Sequence, residues 1–348
     1  MINKELNDRE KNILMYVIQQ FILTASPVGS RNITKKYDIG FSPATVRNIM
    51  SDLEDSGFIN HPHTSAGRIP TDKGYRFYVD SLMAVQRLRG SEIGLINKSL
   101  ETNTLDTDEL LRMTSSLLST ITHQIACVTY PKLESGIFEK IQIVQLTSTR
   151  ILIVISIKSG LVKTLTLEMN SDLKSSQIES VQQILNERLN GLSLKEIRST
   201  FKERFQDIDI NDDQRPIIRV FVDSVDKIFK DDSSSDKAYI TGAKNVIMQP
   251  EFENPENFQS VIELIEDKGI IIHILEKSAD DESVFISIGS ENENQKLHDY
   301  SFISKKYQLG DISGTLGIVG PKRMEYSKII AIVDFVAKMM SDILKTEK

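Results

Sequence analysis

Ser42–Asp80 reads SPATVRNIMSDLEDSGFINHPHTSAGRIPTDKGYRFYVD, and its reading decides what the N-terminal region of the chain is. Ser42 before Pro43 is a helix start. The hydroxyl can accept from an orphan amide, and the proline stands where no amide is needed. Val46, Ile49, Met50 and Leu53 then recur at i, i+3, i+4 and i+7, one apolar face of a helix expected to run to Ser56. Gly57 suits the left-handed residue that ends it. Ala44, Thr45, Arg47, Asn48 and Ser51 fall on the other face, and these are the types that read base edges. Arginine pairs with guanine, asparagine with adenine, and a small or methyl-bearing side chain meets the thymine methyl. The acids Asp52, Glu54 and Asp55 sit at the far end, where they oppose the helix dipole and need not meet phosphates.

Toward the N-terminus, Asn7 and Glu10 make a capping box for a helix with Ile13, Leu14, Val17, Ile18 and Phe21 at helical spacing. PVGS (27–30) ends it, Ser30 is expected to cap a short second helix, RNITKKYD, and DIGF is a turn. Helix, turn and helix in this order form a helix–turn–helix, whose second helix would lie in a DNA major groove.

Toward the C-terminus, Phe58–His61 and Arg68–Pro70 read as two strands around a turn at Thr64–Gly67, a wing. Thr71 then caps a helix lined by Tyr75, Tyr78, Val79 and Leu82. Hydroxyls, backbone amides and cations are the groups that hold phosphate. Phosphate or groove contacts are therefore expected from Arg31, Lys35, Ser42, His63, Thr64, Ser65, Gly67, Arg68, Lys73 and Arg76. His61 and His63 lack a third and fourth metal ligand, because the other histidines (His123, His273, His298) lie in other expected elements. Ser65 beside His63 has no oriented base and no oxyanion-hole motif. No catalytic residue, metal or cofactor is assigned.

The chain has 348 residues, more than one ordinary core, so two or three domains are expected. No run of eighteen apolar residues exists and the start is polar, so neither a membrane span nor a secretory signal is expected. Cys127 is the single cysteine, which excludes an internal disulfide and fits a reducing cytoplasm. The net charge of −7 is uneven: residues 1–89 hold 12 Lys and Arg against 9 Asp and Glu, and the acidic excess lies beyond them. Only the head is suited to a polyanion.

Residues 86–104 read as a polar connector, part helical. From Asp106 the spacing of Leu110, Thr114, Leu117, Leu118, Ile121 and Ile125 predicts an amphipathic helix running into a strand, ACVTY. EKIQIVQLT, RILIVISI and LVKTLTLEM, with short links, predict an antiparallel meander. Helical patterns follow over about 173–230. NVIM, GIIIHILE, SVFISIG, YSFISKKY and GTLGIVG are expected as strands, and KIIAIVDFVAKMMSDIL as a closing helix. The pattern is a sheet domain interrupted by a three-stranded, helix-flanked module.

SPATVRNIMSDLEDSGFINHPHTSAGRIPTDKGYRFYVDSL closely resembles the N-terminal signature of the heat-inducible transcription repressor family HrcA. The likeness is dense over about 5–85. NGLSLKEI (190–197) and GTLGIVGPKRMEY (314–326) are similar to later family blocks. Ile49 stands where the family would carry an acid after Arg-Asn, and Asn60-His61 replace a more charged pair, which touches half-site preference. The resemblance implies an α+β multidomain protein. It would comprise a winged helix–turn–helix (1–88), a connector (89–105), a discontinuous GAF-like α/β domain (106–137 and 237–348), and an inserted dimerisation domain with a three-stranded antiparallel sheet plus helices (138–236). It also implies a cytoplasmic homodimer that binds double-stranded DNA at an inverted-repeat operator (CIRCE) ahead of chaperone genes. The GroEL chaperonin would keep it active, and heat would release it. One rival is a ligand-responsive winged-helix regulator with an effector site in the GAF-like domain. Another is an enzyme built on His273, Glu276, His298 and Asp299, which are too scattered to make a site. The third is a winged module that binds protein instead of DNA.

Overall fold

The computed structural model describes residues 6–62, 67–100, 107–169, 174–206, 215–230, 238–277 and 283–346. The chain forms two compact units. The first comprises Met1–Val128, Tyr239–Lys305 and Leu316–Ala337; the second comprises Thr129–Ala238, Lys306–Thr315 and Lys338–Lys348. The N-terminal helices thus share a unit with much of a sheet, a division drawn along other lines than the four expected segments.

The first unit opens with α1 (Asp8–Thr24). The Asn7 side chain accepts from the Arg9 and Glu10 amides, and Glu10 takes the Asn7 amide at 2.8 Å, completing the capping box. Ile13, Leu14, Val17 and Ile18 are buried. In α2 (Ser30–Lys36), Ser30 is the first helical residue, and Gly29 stands at the cap without a side-chain bond. The expected Ser30 cap is corrected for a local reason. Val28 is bound through both its amide and its carbonyl to Arg68, so the chain leaves that bridge extended through Gly29.

Ser42 caps α3 (Pro43–Asp55) through the Thr45 amide at 3.1 Å, with Val46, Met50 and Leu53 buried and Ile49 half-buried. Gly57 has φ +76°, the left-handed ending expected of it. β1 (Ile59–Asn60) and β2 (Ile69–Pro70) pair antiparallel, Ile59 opposite Pro70. The hairpin is shorter than expected because Arg68 turns from β1 to bridge Val28. Thr71 caps α4 (Asp72–Phe77), which runs into a π-helical turn at Tyr78–Leu82. Within the connector, α5 (Gly90–Leu100) buries Ile96 and Leu100. α6 (Thr107–Thr122) follows; Ile125 belongs to β3 (Ile125–Thr129) and not to the helix.

The chain then builds β4 (Phe138–Thr147), β5 (Arg150–Ile157), β6 (Val162–Glu168), α7 (Ser175–Leu189), α8 (Leu194–Arg204), α9 (Arg215–Asp223) and α10 (Val225–Phe229) of the second unit. It returns through β7 (Ala238–Thr241), α11 (Ala243–Ile247), α12 (Pro255–Glu266), α13 (Lys268–Lys277), β8 (Phe285–Ile288), β9 (Tyr300–Leu309), β10 (Ile312–Pro321) and α14 (Tyr326–Thr346). The five-stranded sheet has the order β7-β3-β10-β9-β8, with β3 antiparallel to β10 and β8 antiparallel to β9.

Two expected strands are helices. GIIIHILE lies in α13, where Ile271, Ile272 and Leu275 are buried and His273 is exposed. A continuous apolar run fits a buried strand or a buried helix equally well, and here the helix face prevails. NVIM falls mostly in α11. Gly242 at φ +89° turns the chain off β7, and the Asn245 side chain donates to Ser119 Oγ at 3.1 Å.

In the second unit the meander β4-β5-β6 is antiparallel throughout, as expected. Ile141, Ile143, Ile151, Ile153 and Ile155 form its buried face. The outer edge of β4 is covered by α7: Asn186 exchanges two hydrogen bonds with the Ile141 backbone, and Gln182 accepts from the Ile143 amide. Such cover blunts edge-to-edge aggregation. The opposite face of the meander carries exposed apolar side chains among polar ones, with Val144 47%, Leu146 50% and Val162 53% exposed. Among the described residues no helix is long and apolar enough to cross a membrane.

Candidate nucleic-acid interface

The outer face of α3 is built by its own periodicity. Burying Val46, Met50 and Leu53 turns Ala44, Thr45, Arg47, Asn48 and Ser51 outward, and all five are exposed. Arg47 makes no hydrogen bond or ion pair with a described residue. At the start of the helix the Thr45 and Ser42 hydroxyls lie 3.0 Å apart, so the Ser42 oxygen is engaged in the cap. The side chains of Arg31 and Lys35 on α2 are exposed and likewise without a described partner, whereas Lys36 donates to Gln20 at 2.7 Å. A guanidinium without a partner retains all five donors for a ligand.

The cations after α3 are placed differently. Arg68 pairs with Glu54 at 2.6 Å, and its backbone bridges Val28. Glu54 also bonds His61 Nδ1, so one carboxylate at the end of α3 holds both arms of the hairpin. Glu54 thus stays at the far end of the helix, as expected, with its carboxylate spent on the hairpin. Arg68, expected as a groove contact, spends Nη2 on Glu54, while its Nε is buried without a hydrogen-bond partner among the described residues. Lys73 donates to the Ser56 carbonyl at 2.9 Å and lies 4.3 Å above the Phe58 ring, satisfying the end of α3. Arg76 points at the sheet: Nε donates to Glu291 at 2.7 Å and Nη2 to the Ile286 carbonyl at 2.8 Å. The Glu291 hydrogen bond, acting against burial, pushes its pKa up, so it stays charged. Gly67 packs on the Pro27–Val28 backbone so closely that a Cβ would fall 2.6 Å from the Val28 carbonyl carbon, room for glycine alone. His63, Thr64 and Ser65 lie outside the described residues.

An exposed arginine and asparagine on a capped helix, with two more exposed cations on the helix before it, form a solvent-facing surface rich in hydrogen-bond donors. The family model "HrcA protein C terminal domain" matches residues 108–330. Heat-inducible transcription repressor HrcA of Chlorobium phaeobacteroides strain BS1 is 38% identical over 98% of this chain and 99% of its own length. The repressors of that name from Prosthecochloris aestuarii and Chlorobaculum tepidum are 40% and 39% identical, with 97% and 98% of both chains covered. The chain belongs to the HrcA family. A crystal structure described as that of a hypothetical protein, 22% identical, covers 99% of this chain and 100% of its own with a TM-score of 0.58, a likeness of fold.

Proposed function

We propose that this chain is a heat-inducible transcription repressor, a regulator and not an enzyme, that binds double-stranded DNA through a winged helix–turn–helix in residues 1–88. The observation that carries the reading is the outward face of α3, where Arg47 and Asn48 are exposed and Arg47 is unspent. Thr45, Arg47 and Asn48 read bases, with Ala44 and Ser51 beside them; Arg31 and Lys35 hold phosphates. His63, Thr64 and Ser65 are assigned hydroxyl and imidazole contacts to the DNA.

Residues 89–105 connect this domain to a GAF-like domain (106–137 and 237–348), and residues 138–236 form the dimerisation domain. The face that exposes Val144, Leu146 and Val162, continued by half-buried Leu152 and Val154, supports a second copy as the partner of that domain. Exposed apolar side chains of this kind close homodimers. Two copies related by a twofold axis match the two halves of an inverted repeat, the CIRCE operator. The relatives' names speak of heat, which favours temperature over a metabolite as the input, with the GroEL chaperonin maintaining the active cytoplasmic form. An effector reading would need the cleft of about 600 Å³ beside α13, lined by Ile270, Ile274 and Phe285, and it is the weaker one.

An electrophoretic shift with a CIRCE duplex and a scrambled duplex tests the reading. Retention of the repeat at salt that releases the scrambled duplex is expected; equal retention overturns it. Refolding from denaturant with and without GroEL tests the chaperonin step, where a higher yield of DNA-binding protein with GroEL is expected.

A further inference from the structure

We propose that Asp72 and Arg76 of α4 are positioning residues. They fix the N-terminal helices on the five-stranded sheet, and so set the orientation from which two copies engage two half-sites at once. The inference rests on the reading of a DNA-binding dimer and assigns α4 a task other than touching phosphate.

The two residues are spaced i and i+4, one above the other on one face of the helix. Both address the turn after β8. Asp72 accepts from the Ser290 amide at 2.9 Å and pairs with Lys322 at 2.9 Å. Burial works against its carboxylate, and the Lys322 and Ser290 bonds outweigh burial, holding its pKa below the ordinary range. Gly289, at φ +53°, lies so near that a Cβ would be 2.4 Å from an Asp72 carboxylate oxygen.

Arg76 grips Glu291 with two nitrogens, donates to the Ile286 carbonyl, and reaches Asp80 at 3.2 Å on its own helix. Glu291 is itself held, since it accepts from the Ile288 amide at 2.8 Å. Between the two charges Tyr75 is buried, its ring 5.9 Å from that of Tyr326.

The same seat is fastened elsewhere. Arg323 donates to the Ile22 carbonyl at the end of α1 and pairs with Glu251; Ser327 donates to the Ala84 carbonyl; Lys328 pairs with Glu92. A lone surface ion pair adds little stability. A bidentate arginine on a carboxylate that the backbone already pins adds direction, because displacement breaks several bonds of fixed geometry together. The signs also fix the register: Asp72 meets a lysine and Arg76 meets a glutamate, and a shifted seat would bring like charges together.

Direction matters only when two copies bind one duplex. The second half-site is then engaged at an effective concentration set by geometry, which a loosened seat lowers, while one half-site is bound as before.

The experiment uses the full chain and fluorescence anisotropy on two duplexes, a CIRCE inverted repeat and one half of it. The proteins are the unaltered chain, E291Q, D72N, D72N/E291Q and R76K. The ratio of half-site Kd to repeat Kd should fall about tenfold in D72N/E291Q and less in each single variant. R76K, which keeps the charge and loses the fork, should be intermediate. Half-site Kd should stay within about twofold, and circular dichroism should show each protein folded. An unchanged ratio, or an equal loss on both duplexes, overturns the positioning role alone. Failure of the unaltered chain to bind either duplex overturns the DNA reading and this inference with it.

Discussion

Helices α3 and α4 follow one another in the chain, both start at a hydroxyl cap, and both carry arginine on an exposed or half-exposed face. What they do with it differs. On α3, Arg47 stands in solvent with no described partner, and the acids of the helix are gathered at its far end. On α4, Arg76 is held by two carboxylates and a carbonyl, and Lys73 turns back on the Ser56 carbonyl. A cation count treats the two helices alike. Partner geometry separates a surface open to solvent from one already closed on the protein.

The largest expected effect is structural. Leu53 is fully buried under α3, and Leu53→Ala should lower the unfolding free energy by about 2–5 kcal/mol in a denaturant titration. A loss below about 1 kcal/mol would mean the face is not anchored as described. Arg47→Ala comes next. It should weaken binding to the inverted repeat by about 1–3 kcal/mol at unchanged stability, whereas Lys35→Ala should lower the salt slope by roughly 1 on any sequence. Glu291→Gln should cost about 1 kcal/mol of stability or less, since Arg76 is 30% and Glu291 34% exposed.

The smallest effect is on pH. The folded pKa of Asp72 is depressed, so its contribution is complete above the unfolded value of about 4 and is lost as pH falls through the folded value. The stability difference between the unaltered chain and Asp72→Asn should accordingly shrink below about pH 4. A difference that persists undiminished there would contradict the ionised seat.

Much of this contrast was open to sequence reasoning on the α3 side and closed to it on the α4 side. Ser42-Pro43, the 46/49/50/53 spacing and Gly57 act within a few residues of one another, so local rules place that helix and its outer face. Arg76 and Glu291 stand 215 residues apart, and no local rule connects them. The Glu54–Arg68 pair is an intermediate case: opposite charges flank the expected hairpin, but their pairing depends on how the hairpin folds back on α3. GIIIHILE and NVIM show the other limit. Apolar runs without alternation leave helix and strand equally open, and the packing of Ile271, Ile272 and Leu275, like the bond from Asn245 to Ser119, is tertiary. The meander was legible because β4, β5 and β6 alternate and are joined by short links.

The central claim is that α3 reads sequence. Its most direct test is the ratio of scrambled-duplex Kd to inverted-repeat Kd at one fixed salt concentration, measured for the unaltered chain and for Arg47→Ala. The account predicts that the ratio falls by the full loss in repeat affinity while the scrambled Kd is nearly unmoved. Equal weakening on both duplexes would contradict it, because Arg47 would then be one more phosphate contact.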